Sequence, residues 1–271
     1  MTLKEQKIGF LGAGKMASAI IKGLLKYGVP ADNIAAGERW APAADAARKE
    51  FGIYVTEDNA EVVKRSDILI IAVKPKDIAE ALSTAGETKD KLFISIAAGV
   101  TIDSLEKLVG DKARVIRVMP NICATVLQSA TGISRGTNAT DADAAIAMEI
   151  FSAIGAAMEI NENLLDAVTG LSGSGPAFIF QIIEAMADGG VYAGLDRNTA
   201  QLLAAQTVLG AATMVVESGM HPGALKDMVC SPGGTTIEGV SVLEQRAVRA
   251  AFIDAVIAAA DKSEQLGKKS K

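Results

Sequence analysis

Four runs in the first 160 residues are apolar with almost no alternation: IGFLG at 8–12, DILIIAV at 67–73, LFISIAA at 92–98 and ARVIRVMP at 113–120. Runs of this length, rich in β-branched residues, suit strands covered on both faces, and the segments between them carry helical spacing. A further strand is expected at 33–37. Strand and helix in alternation predict an α/β fold, a Rossmann-type, doubly wound and mostly parallel sheet. After NENLLDA at 161–167 the pattern changes. β-branched runs stop, and Ala- and Leu-rich stretches at 176–193, 199–218 and 240–266 are each long enough for a helix. The boundary places a sheet domain at 1–163 and an all-α domain at 164–271.

About 110 residues holding three or four apolar helices bury themselves poorly alone, because a small bundle has too much surface for its volume. A homodimer, or a higher homo-oligomer of dimers, is therefore expected through the helical domain. The most apolar stretch, 202–216, is interrupted by Gln206, Thr207 and Gly210 and is shorter than the roughly 20 residues that span a bilayer. It reads as a buried helix, and no membrane partner is expected.

Charge narrows the partners further. The 271 residues carry 27 Lys and Arg against 32 Asp and Glu, a net charge of -5, the wrong sign for a nucleic-acid surface. Two cysteines, Cys123 and Cys230, and one histidine, His221, supply neither a disulfide framework nor a metal site. The opening MTLKEQ lacks the pattern of a secretory signal, so a cytoplasmic protein is expected.

Candidate chemistry begins after the first strand, where Gly12-Ala13-Gly14-Lys15-Met16-Ala17 opens a helix that Gly28 can end. In G-x-G-x-x-A the first glycine permits a tight turn and the second lets a pyrophosphate approach the backbone. The small Ala17 lets helix and strand pack, and amides at the helix start face the phosphates. The adenosine ribose should be read about 20 residues on, at Gly37-Glu38-Arg39. With Gly37 at the strand tip, Arg39 faces a 2′-phosphate and Glu38 points away, which favours NADPH. A shift of one residue reverses the preference towards NADH.

Hydride transfer to a carbonyl needs a proton donor, and the chain offers few. His221 stands in HPG between two helices and reads as a cap. Tyr27, Tyr54 and Tyr192 lack a lysine four residues on. The helical half does hold Ser231-Pro232-Gly233-Gly234-Thr235-Thr236 ahead of its last long helix, where free amides could hold a carboxylate, although Ser and Thr also cap ordinary helices. A second small-residue segment, Leu171-Ser172-Gly173-Ser174-Gly175-Pro176, reads as a turn at the domain boundary.

Together GFLGAGKMASAI, AVKP at 72–75, SIAAGV at 95–100, VMPN at 118–121, VTGLSGSGPAF at 168–178 and HPGALKDMVCSPGGTTIEGVSVLE at 221–244 resemble the pyrroline-5-carboxylate reductases over nearly the whole chain. The resemblance implies reduction of 1-pyrroline-5-carboxylate to L-proline with NADPH, or NADH, in the last step of proline biosynthesis. An iminium nitrogen can arrive protonated, which fits the missing acid. By the same resemblance Thr236 bonds the ring nitrogen as the catalytic hydroxyl, while Ser231, Gly233, Gly234 and Thr235 hold the substrate carboxylate over the nicotinamide of a partner subunit. Gly12, Gly14, Lys15 and Met16 would hold the pyrophosphate. Ala72, Val73, Lys74 and Pro75 would line the ribose and phosphates, Arg39 and Asn59 the adenosine end, and Ala97 and Asn121 the nicotinamide region. The chain departs from the family pattern at Ile122-Cys123-Ala124 and at 126–129, and at Met228, Cys230 and Thr235. A β-hydroxyacid dehydrogenase would place a lysine on the helix from Pro176 onward, and none occurs before Lys226. A non-catalytic NADP sensor would have no use for a carboxylate cradle.

Overall fold

A computed structural model describes residues 2–110 and 112–269. They form two compact units, one running to Ser174 and resuming at Ala258, the other Gly175–Ile257.

The first unit is built on eight strands: β1 (Ile8–Leu11), β2 (Ile34–Gly37), β3 (Tyr54–Thr56), β4 (Ile68–Ile71), β5 (Leu92–Ser95), β6 (Arg114–Met119), β7 (Ser129–Arg135) and β8 (Gly155–Glu159). Their order is β3-β2-β1-β4-β5-β6-β7-β8. Every pairing is parallel except β6 with β7. The order reverses between β1 and β4, so the crevice at their carboxyl ends is the place where a ligand fits such a sheet.

Strand side chains alternate across the sheet and fill two cores. Ile68 and Ile70 join Phe10, Ile20 and Phe151 on one face, packed by α1 (Lys15–Tyr27), α2 (Ala41–Phe51) and α6 (Asp141–Ser152). Leu69 and Ile71 join Phe93 and Val115 on the other, packed by α3 (Asn59–Lys64), α4 (Ile78–Ser83) and α5 (Ile102–Val109). Gly28 ends α1 in the left-handed conformation, as its position implied.

Four local expectations change. Strands β3, β7 and β8 carry polar or small residues, such as TGIS and GAAME, and show no unbroken apolar run. Residues 171–176 are not a turn: the short α7 (Leu165–Val168) passes into a π-helical segment, Thr169–Gly173, which leads towards α8 (Gly175–Tyr192). The helix expected at 240–266 is two helices, α11 (Thr235–Gln245) and α12 (Val248–Lys269), broken where Ala247 turns to φ 55.

The fourth concerns α9 (Arg197–Ser218), which with α8, α10 (Pro222–Val229) and α11 makes up most of the second unit. Its 22 residues are long and apolar enough to cross a membrane, yet it is not buried within the chain. Only Ala200 and Ala204 are covered, against Ala187 of α8, while Leu202, Leu209 and Val216 stand open. Small residues at the α8–α9 contact let the backbones approach but bury little apolar area.

Candidate functional site

At the end of β1, Gly12 takes φ 101, a region that L side chains avoid. A Cβ there would also lie 3.0 Å from Val73 Cγ1 and 3.1 Å from the Ala72 carbonyl oxygen. The turn therefore seats directly on the exit of β4, where the Ala72 amide donates to the Leu11 carbonyl at 2.9 Å. Gly14 is different. It is the extended N-cap of α1, and a Cβ on it would meet nothing within 4 Å. Nothing in the protein demands glycine there; its absent side chain leaves open space over a helix start. No side chain caps α1 and no acid sits in its first turn, so the amides from Lys15 onward are available to an anion.

The rest of the predicted rim is uneven. Val73 is half-buried, and Lys74 and Pro75 are exposed beside this turn. Ala97 is buried past the end of β5, its amide donating to Ser95 Oγ at 3.3 Å. Asn121 is buried and spent on structure. Its Oδ1 accepts from the Cys123 amide at 3.0 Å, its Nδ2 donates to the Ser172 carbonyl at 3.0 Å, and its own amide donates to Ser129 Oγ at 3.1 Å. It braces the π-helical segment against the turn after β6.

At the tip of β2, Gly37 pairs with Leu11, and the Gly12 amide extends the ladder to the Gly37 carbonyl at 3.0 Å. Gly37 presents its face to α3: a Cβ there would lie 2.4 Å from Asn59 Oδ1. Alternation therefore turns Glu38 to the opposite face, towards the glycine loop, and not away from it. Glu38 Oε2 accepts from the Ala13 amide at 3.3 Å and Oε1 from the Trp40 amide at 2.9 Å. A cavity of about 670 Å³ is lined by Ala13, Gly14, Lys15, Ser18, Glu38 and Trp40, among others. Neither Glu38 as a lining group nor Trp40 was foreseen; the period of two from Gly37 was the signal for the first.

Arg39 lies on the Asn59 side. Its guanidinium pairs with Glu80 at 2.5 Å, and the two share a cavity of about 230 Å³ with Asn59 and Thr84. Hydrogen bonding and the charge of Arg39 hold the Glu80 carboxyl below its ordinary range. Arg39 is raised in turn, so the pair stays ionised throughout neutral pH. The two residues expected at the adenosine end, Arg39 and Asn59, are thus brought together.

In the second unit, His221 caps α10, its Nδ1 accepting from the Gly223 amide at 3.0 Å. Cys230 ends that helix and is half-buried. The chain then turns through Ser231–Gly234, the Gly234 amide donating to the Ser231 carbonyl at 3.0 Å, with Gly233 at φ 64. A Cβ on Gly234 would strike Ser231 Oγ at 2.2 Å, so the serine hydroxyl rests directly over the start of α11. No side chain caps α11. Ser231, Gly233, Thr235 and Thr236 are exposed. The result is an open helix N-terminus flanked by three hydroxyls, able to hold a carboxylate and address one further polar atom. Ser231, Gly233, Gly234, Thr235 and Thr236 thus share this one turn and helix start.

Comparison with known proteins bears on both units. Residues 162–266 match the family of pyrroline-5-carboxylate reductase dimerisation domains, and residues 7–99 match the family described as NADP oxidoreductase coenzyme F420-dependent. A pyrroline-5-carboxylate reductase of Methanosarcina acetivorans is 55% identical, over 98% of this chain and 100% of the relative. The structure of a pyrroline-5-carboxylate reductase from Coxiella burnetii is 36% identical with TM-score 0.91, over 96% of this chain and 98% of that one. The Plasmodium falciparum enzyme, solved with NADP bound, is 31% identical with TM-score 0.86, over 98% and 100%.

Proposed function

The chain belongs to the pyrroline-5-carboxylate reductase family, and from that premise we propose how its residues carry the reaction. It is an NAD(P)H-dependent oxidoreductase of proline biosynthesis, reducing 1-pyrroline-5-carboxylate to L-proline with NADPH, NADH being possible, and it forms a homo-oligomer.

The glycine loop fits the cofactor: Gly12 makes the turn, Gly14 leaves the cradle, and the uncapped α1 offers amides. Gly12, Gly14, Lys15 and Met16 hold the pyrophosphate. Arg39 and Asn59 hold the adenosine end, Ala72, Val73, Lys74 and Pro75 wall the ribose, and Ala97 and Asn121 border the nicotinamide, Asn121 by bracing the backbone. When bound, NADPH supplies the hydride. Ser231 and the backbone of Gly233, Gly234 and Thr235 fix the substrate carboxylate at the start of α11, and the Thr236 hydroxyl oxygen accepts a hydrogen bond from the protonated ring nitrogen. The imine carbon takes the hydride and the nitrogen, already protonated, becomes the amine, so no residue need give up a proton. What the chain contributes is position and the dipoles of fixed amides.

The observation that carries the substrate assignment is the uncapped N-terminus of α11 beneath the Ser231 hydroxyl. The assembly is a homodimer or a higher homo-oligomer of dimers. Its interface is the open face of α9, covered by a second copy and not by a membrane. A cytoplasmic location fits two unpaired cysteines. The test is loss of reduced-nicotinamide absorbance with fresh 1-pyrroline-5-carboxylate and detection of proline. The Thr236→Ala enzyme should turn over about 10- to 100-fold more slowly, the worth of one charge-assisted hydrogen bond. Unchanged kinetics would remove Thr236 from the mechanism, and no proline from the unaltered protein would overturn the reading.

A further inference from the structure

We propose that Glu38 sets the cofactor preference of this chain, accepting the adenosine ribose hydroxyls of NADH and disfavouring the 2′-phosphate of NADPH, so that both cofactors are used. The inference deepens the dinucleotide reading above and rests on it.

Three observations converge. First, the ladder runs without a break from Gly37 into the glycine turn, since the Gly12 amide donates to the Gly37 carbonyl at 3.0 Å. Glu38 is therefore the first residue beyond the β2 tip, the position from which an acidic side chain reads a ribose diol in sheets of this order. Second, its carboxylate is already aimed. Oε2 takes the Ala13 amide of the loop at 3.3 Å and Oε1 the Trp40 amide at 2.9 Å, which fixes the side chain at the rim of the cavity shared with Gly14 and Lys15. Each oxygen keeps a lone pair for a hydroxyl. Third, Arg39, the cation that follows Glu38 at the strand tip, is engaged elsewhere. Arg39 stands on the opposite face of the tip, bound to Glu80 at 2.5 Å on α4.

A diol entering this site meets an acceptor positioned for it. A 2′-phosphate meets a fixed negative charge beside it, and gains Arg39 only by drawing it from Glu80, which leaves the exposed Lys15 and Lys22 of the same cavity as its other cations. Discrimination of this kind comes from the repulsive element as much as from the attractive one. Arg39 remains within reach on an exposed side chain, so NADPH is handicapped without being excluded.

The test measures binding of adenosine fragments to the whole protein by calorimetry, with no imine present: ADP against 2′,5′-ADP. Glu38→Gln, which keeps the shape and removes the charge, should shift the ratio of the two affinities towards 2′,5′-ADP by about tenfold. Glu38→Ser serves as a second variant should the amide disturb the turn. Glu80→Gln, which frees Arg39, should strengthen 2′,5′-ADP alone. Arg39→Ala should weaken 2′,5′-ADP and leave ADP unchanged. A ratio that moves less than about threefold in both Glu38 variants overturns the proposal while the dinucleotide reading stands. Failure of the unaltered protein to bind either fragment overturns both.

Discussion

Two glycines two positions apart do different work, and substitution separates them. Gly12 is needed by the fold: its φ of 101 and its contact with Ala72 and Val73 leave no place for a methyl group. Gly14 is needed only by what binds, since its backbone suits any residue and a Cβ on it would touch no protein atom. Gly14→Ala should leave thermal stability within about 0.5 kcal/mol of the parent, while raising the KM for NADPH at least about tenfold through the blocked cradle. Gly12→Ala should lower stability by about 1 to 3 kcal/mol, the cost of a strained residue. Chemical denaturation of the two variants decides it, and equal stabilities would refute the division. At this scale the sequence was highly legible where a motif had one purpose. Gly12 answers a local geometric demand that its type signals, and Gly14 and the group from Ser231 to Thr236 lie at helix starts that no side chain caps, which their small and hydroxyl residues signal in turn. Asn121 and Glu38 were less so. The carboxamide of Asn121 is consumed by Ser172, 51 positions away, and no local pattern reveals a partner at that distance.

Elements were readable to the extent that burial was two-sided. Strands β1, β4, β5 and β6 lie inside the sheet and announce themselves as apolar runs. The edge strands β3 and β8 have less to bury and so carry mixed residues, while the interior β7 buries hydrogen-bonded Ser129, Thr131 and Ser134 in place of apolar side chains, and none of the three matches a single period. The break between α11 and α12 was hidden for another reason. SVLEQRAVRAAF reads as continuous helix by propensity, yet Ala247 adopts φ 55 and the Arg246 amide closes onto the Val242 carbonyl at 3.1 Å. A left-handed alanine costs about 1 to 2 kcal/mol, so tertiary placement of α12 overrides local preference. On its far side α12 is tied down within the first unit, where Ser263 Oγ donates to Asp166 at 2.6 Å. Ala247→Gly should relieve the strain and raise stability by about 0.5 to 1 kcal/mol after the larger unfolded-state entropy of glycine is subtracted. A melting temperature that falls would show that the break is set by the helix ends and not by residue 247.

For the molecule as a whole, the second unit is legible only as half of an object. Its described core is three alanines with Ile183 and Val191 packed around them, a hydrophobic content far below what a separate domain of its length requires. The expected buried helix at 202–216 was right about composition and incomplete about what does the burying: within one chain α9 leaves Leu202, Leu209 and Val216 exposed at 69%, 57% and 82%. These positions recur every seven residues and so form one stripe along the helix. A stripe of that kind on a 22-residue helix needs an apolar partner, and a second copy of the same helical unit supplies an identical, self-complementary one. Leu209→Glu puts a charge at the centre of the stripe, at a position more than half exposed within its own chain. It should therefore leave the sheet unit folded, with unchanged affinity for ADP, and convert the assembly to monomer by light scattering. Proline formation should fall with it if the assembled helical units complete the active enzyme. Retention of the oligomer would mean that α9 faces something other than its own copy. Loss of nucleotide affinity together with assembly would mean that the sheet unit depends on the dimer for its fold.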